Sequence, residues 1–117
     1  RNDMQDMRKL LRSYRDNIME LQDEYNKINH DDMLFQSDRI EELEENIKCV
    51  NDFVKGIYSY RIRKAIRMYY MEDSPYKLSW EQVADAIGGG WTSNALKTEI
   101  HRLITQKNCN ECNECDT

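Results

Sequence analysis

"LSWEQVADAIGGGWTSNALKTEIHRLI", residues 78–104, places two amphipathic segments on either side of three consecutive glycines. Ser79 and Gln82 have the spacing of a capping box, in which the serine hydroxyl accepts from the Gln82 amide and the glutamine side chain returns to the Ser79 amide. That box predicts a helix over Trp80 to Ile87, with Val83, Ala84 and Ile87 on its buried edge. Ala84 is small enough to let a second helix cross closely. Gly88 falls where a helix end takes a residue of positive φ, a conformation that costs glycine nothing sterically. Thr92 or Ser93 can then cap a second helix, whose buried side is Leu96, Ile100, Leu103 and Ile104, with Ala95 at its edge. Two short helices joined by a glycine turn follow from the local chemistry.

The rest of the chain reads the same way. In 117 residues there are one proline and four glycines, and 33% of residues are charged. A sheet protein needs more turns than that composition supplies, so an all-α chain is expected. Its length fits one small domain, or one domain with a helical extension. No apolar run approaches the roughly 18 residues of a membrane span, and the opening "RNDMQDMRKLLR" lacks the apolar core of a secretion signal. A soluble, cytoplasmic protein is expected.

From Met4 to Ile28 the apolar positions are Met4, Met7, Leu11, Tyr14, Ile18, Leu21, Tyr25 and Ile28, alternating steps of three and four. This heptad pattern predicts a long helix that ends near Asn29-His30-Asp31-Asp32. Ser37 followed by Asp38, Glu41 and Glu42 reads as the cap and acidic first turn of a second helix. Ile40, Leu43, Ile47, Val50, Val54 and Ile57 repeat the spacing. Two such stripes predict an antiparallel coiled-coil hairpin, with Met33-Leu34-Phe35 at its closed end. The pairing can be intramolecular only, or the hairpin can also dimerise.

Beyond Ile57 the register breaks, because Arg61 and Lys64 stand where apolar residues were due, and Gly56 lies just before the shift. A new helix is expected from about Tyr58 to Met71, ended by Asp73-Ser74-Pro75. The division that follows is 1–57 as coiled-coil hairpin arm, 58–107 as helix-turn-helix domain and 108–117 as acidic cysteine-containing tail. Charge follows the same division. Residues 1–54 carry 8 Lys/Arg against 14 Asp/Glu, residues 55–107 carry 9 against 5, and the last ten carry none against 3. The total of -5 thus conceals a basic segment around the quoted stretch.

"RIRKAIRMYYMEDSPYKLSWEQVADAIGGG" resembles the C-terminal unit of small phage and mobile-element regulators of the ArpU/RinA type, which are related to the promoter-reading fourth region of bacterial sigma factors. In that group a helix leads into a segment like "LSWEQVADAIG" and then into a recognition helix. The resemblance covers about residues 60–106 and implies a DNA-binding transcriptional regulator with a helix-turn-helix. Gly88-Gly89-Gly90-Trp91 is a longer turn than the group's, which displaces Leu96 by about two positions.

If the unit reads DNA, its second helix enters the major groove N-terminus first. Helical spacing puts Asn94, Lys97, Thr98 and His101 on the side away from Leu96 and Ile100. Asn94 suits adenine, and Lys97 suits guanine or a phosphate. Thr92 and Ser93, at the helix start, suit a phosphate. Arg61, Arg63, Lys64, Arg67, Lys77 and Arg102 are candidates for backbone contacts, which add affinity without sequence information. The alternative is that this is only a solvated face.

Trp80 and Trp91, each beside a cap or turn, are expected to pack rather than stack on bases. Most of Tyr58, Tyr60, Tyr69, Tyr70 and Tyr76 are expected to pack with their hydroxyls at the surface. Cys109, Cys112 and Cys115 are weak metal candidates, because a closed tetrahedral zinc site needs a fourth ligand; reduced thiols in a frayed tail are the plainer reading. No catalytic spacing or phosphate-cradling loop is present, so neither enzyme activity nor a cofactor is expected. Double-stranded DNA is the expected partner, with RNA polymerase as a further one and self-association through the arm into a homodimer or higher oligomer. The competing class is a structural or adaptor protein that works through the coiled-coil arm.

Overall fold

The computed structural model describes residues 6–29, 37–72 and 77–116, with the side chains of residue 29 and of 108–116 left aside. The described residues are helical, with no strand among them. The helices are α1 (Met7–Asn29), α2 (Ser37–Lys55), α3 (Tyr60–Ile66), which continues into a π-helical turn (Arg67–Met71), α4 (Trp80–Ile87) and α5 (Ser93–Asp116). None is long and apolar enough to cross a membrane. The expected connection residues Met33-Leu34-Phe35 and the expected stop Asp73-Ser74-Pro75 lie outside the described residues.

α1 and α2 pack side by side in opposite directions. Tyr14 donates to Asn51 at 3.0 Å near one end, and Tyr25 donates to Glu44 nearer the other. Arg39 of α2 grips Glu20 of α1 through two bonds of 2.7 and 2.8 Å. α2 buries Ile40, Leu43, Val50 and Val54 as its spacing requires. α1 departs from its stripe. Alongside Met7 and Leu11 it buries Leu10, Asn17 and Glu24, a heptad line one position away from Leu11, Ile18 and Tyr25. Tyr25 and Ile28 of the stripe are left 40% and 39% exposed.

One apolar cluster joins both ends of the chain. Met7, Leu10 and Leu11 of α1 pack in it with Val50 and Val54 of α2, Ile62, Ala65 and Ile66 of α3, Val83 and Ile87 of α4, and Leu96, Ile100 and Ile104 of α5. The cluster has members on both sides of residue 57. The chain does turn there. α2 ends at Lys55, Gly56 and Ile57 bend away, and the Ser59 hydroxyl accepts from the Ile62 amide at 3.3 Å to open α3.

The π turn was invisible in the sequence. Its widened ring, closed by the Glu72 amide on the Arg67 carbonyl at 2.7 Å, leaves carbonyls that an α-helix would have used. Arg15 of α1 takes them up, with Nε 2.7 Å from the Glu72 oxygen and Nη2 3.2 and 3.1 Å from the Met68 and Tyr69 oxygens. One guanidinium fastens α1 to the far end of α3.

Candidate nucleic-acid interface

The capping box forms as its spacing requires. The Gln82 amide donates to Ser79 Oγ at 3.2 Å, and the Ser79 amide donates to Gln82 Oε1 at 2.8 Å. At the other end of α4 the Gly88 amide donates to the Ala84 carbonyl at 3.3 Å. Gly88, Gly89 and Gly90 all have positive φ, at 68°, 76° and 79°. A side chain is strained in that region, so the triplet answers a steric demand at each position. Arg61 braces the turn by donating Nε to the Ile87 carbonyl at 3.0 Å. Thr92, not Ser93, caps α5; its Oγ1 accepts from the Ala95 amide at 3.1 Å.

α5 then turns two faces. Leu96, Ile100 and Ile104 are fully buried and Leu103 is half-buried. Asn94, Lys97, Thr98 and His101 are exposed, with Thr92 exposed and Ser93 half-buried at its start. Glu99 is the sole acid among residues 93–107, and Arg102 pairs with it. Over residues 93–107 the exposed α5 side accordingly carries no unpaired acid.

Lys77, Lys97 and His101 come together at a cleft of about 560 Å³ between α1, the π turn, α4 and α5. Leu11, Arg12, Arg15, Tyr69, Tyr70 and Trp80 complete its walls. Tyr69 and Trp80 stack at 3.8 Å, and Tyr70 meets Tyr69 edge-on at 4.9 Å. Burial pushes the Tyr70 hydroxyl upward. Burial also holds the His101 imidazolium below its ordinary value, and the nearby charges of Arg8, Lys97 and Arg12 add to that. Arg8 and Arg12 were missed because residues 1–54 were counted as one acidic block. Residues 1–15 alone carry five Lys/Arg against two Asp/Glu, a signal a shorter window would have found.

Other expected contacts are committed elsewhere. Arg63 donates to the Ile57 and Tyr58 carbonyls at 2.6 and 3.1 Å, closing the corner between α2 and α3. Arg102 is held along α5 by Glu99, and Arg61 by the glycine turn. Lys64 and Arg67 are half-buried on α3 and the π turn, away from the cleft lining. Tyr69 and Tyr70 pack as expected, whereas Tyr58 and Tyr60 are 99% and 61% exposed and do not; Tyr76 is outside the described residues. Both tryptophans pack half-buried against the core. The backbone of α5 continues to Asp116 where a frayed tail was expected, and the side chains of Cys109, Cys112 and Cys115 lie outside the described set. Among the described residues no three His, Cys, Asp or Glu side chains gather as a metal site.

Comparison of the chain with protein-family models, curated proteins and solved structures finds no match.

Proposed function

We propose that this protein is a sequence-specific DNA-binding transcriptional regulator of the phage or mobile-element type. In this reading α4 and α5 form a helix-turn-helix, and α1 with α2 forms a coiled-coil arm. The observation that carries the proposal is the exposed side of α5, where Asn94, Lys97, Thr98 and His101 stand together and Glu99, the one acid among residues 93–107, is paired with Arg102. Such a face offers amide and ammonium donors to base edges without repelling phosphates. The resemblance of residues 60–106 to ArpU/RinA-type regulators supports the same reading.

Selection of bound duplexes from a random pool, followed by anisotropy at rising salt, tests it. Affinity should fall steeply with salt, as counterions are released from each neutralised phosphate. An Asn94→Ala, Lys97→Ala double variant should lose discrimination at the selected site; binding equal to the parent's would remove α5 as the reading helix.

A second reading rests on the arm. Tyr25 and Ile28, three positions apart and so neighbours on one side of α1, are 40% and 39% exposed, an apolar pair that suits a second copy of the same helix. A homodimer built this way would read half-sites roughly 34 Å apart or a multiple of it. If the arm is instead the whole functional surface, with RNA polymerase or another protein as its partner, no salt-sensitive DNA binding will be found.

A further inference from the structure

We infer that the cleft between α1, the π turn and α5 is a binding site for a phosphoryl group. Among the described residues its lining holds Arg12, Arg15, Lys77, Lys97 and His101 and no carboxylate. In a chain of net charge -5 that is a local reversal of sign, built from three separate parts of the sequence. Arg15 is already spent on the Met68, Tyr69 and Glu72 carbonyls, so it fixes the wall of the cleft. Among the described residues Arg12, Lys77, Lys97 and His101 show no hydrogen-bond or ion-pair partner, and all four line the same cleft. Like charges held this close repel one another, and an anion between them converts that repulsion into attraction. A volume of about 560 Å³ lies within the roughly 300–1,000 Å³ of small-molecule sites, with room for more than one phosphoryl group. The stacked Tyr69 and Trp80 rings give the cleft a rigid apolar wall, which excludes water from one side and strengthens the electrostatics there.

The cleft does not require α5 to enter DNA. Two sources could fill it: the backbone of a duplex lying across α5, or a free polyphosphate or nucleotide. The chemistry is shared, and the test separates them.

The experiment is an NMR titration of the full ¹⁵N-labelled chain with inorganic tripolyphosphate, following the Trp80 indole and the Lys97 and His101 amides. Saturable shifts at these positions are expected. Arg12→Gln and Lys97→Gln should each weaken binding about tenfold, in keeping with a charge-assisted hydrogen bond. Lys55→Gln, the same charge change on an exposed helix end outside the lining, should leave binding intact. No saturation, or equal weakening by Lys55→Gln, would overturn the site. Arg12 and Lys97 are exposed, so neither substitution disturbs the core, and an unchanged amide spectrum checks that. A second titration uses a mixed-sequence duplex. If it shifts the same signals and tripolyphosphate competes, the phosphoryl group is that of DNA. If tripolyphosphate binds and the duplex does not, the site stands for a free phosphate ligand, and the DNA reading of α5 falls on its own.

Discussion

Arg61 fills the space that a side chain on Gly89 would need. A Cβ built on Gly89 would lie 2.5 Å from Arg61 Nε and 2.8 Å from its Cδ, while the same Nε holds the Ile87 carbonyl at 3.0 Å. The turn between α4 and α5 is thus shaped by an arginine 26 residues upstream.

Gly89→Ala should therefore destabilise more than Gly88→Ala or Gly90→Ala, whose added methyl groups would meet nothing within 4 Å. The latter two bear only the cost of positive φ, about 1 kcal/mol, whereas Gly89→Ala adds displacement of Arg61 and should reach about 2–3 kcal/mol. Urea unfolding followed by circular dichroism measures the difference. In an Arg61→Ala background the excess at Gly89 should vanish; simple additivity would show that the arginine is not the obstacle.

Arg15 gives a second prediction. Removing it leaves the Met68, Tyr69 and Glu72 carbonyls without their shared donor, so Arg15→Met should cost about 2 kcal/mol. Arg15→Lys should recover little, because a single ammonium cannot span three oxygens held by a planar fork. Thermal melts of the two variants compare them, and full recovery by lysine would show that only charge mattered.

Those two arginines mark what the sequence alone could and could not convey. The capping box at Ser79 and Gln82, the glycine at the end of α4 and the buried side of α5 depend on residues within one or two turns of each other, so their spacing was sufficient. The π turn depends on Arg15, more than fifty residues away in the chain. Leu10 lies off the three-four stripe of α1, and its burial against the C-terminal helices became visible only once they were placed. The same holds for the site: the exposed side of α5 followed from periodicity, but its meeting with Arg12 needed the fold.

His101 should titrate below its ordinary value of 6.5. Burial lowers it first, then Arg8 and Arg12 from α1 and Lys97 from its own helix; Lys77, Arg15, Tyr69 and Tyr70 also line the cleft. As the folded-state value is depressed, the unfolded chain takes up the proton first when pH falls. Stability on this account is fully present above about 6.5 and declines as pH drops through the window beneath it. Ring-proton shifts followed from about pH 8 to pH 4 report the midpoint. Arg12→Gln should move it upward. A midpoint unmoved by that change would separate Arg12 from the histidine.

Asn17 is 9% exposed on the buried line of α1 between Leu10 and Glu24. Buried amides at such positions restrict pairing at a cost in stability. Asn17→Leu should raise the melting temperature by several degrees, corresponding to about 1 kcal/mol, and should also broaden the mass distribution seen by light scattering as alternative pairings open. A lower melting temperature would mean that the amide is a net stabiliser.

The single core that runs from Met7 to Ile104 also governs when this protein can fold. During synthesis α1 leaves the ribosome before α5, yet Leu10 and Leu11 belong to a cluster that also needs Leu96, Ile100 and Ile104, which are made later. The neighbouring helices α1 and α2 can pack early, while Met7, Leu10 and Leu11 wait, apolar and uncovered, for α5. Translation must reach α5 before any binding surface on that helix exists, so a truncated product would lack both the completed core and the helix proposed to read DNA.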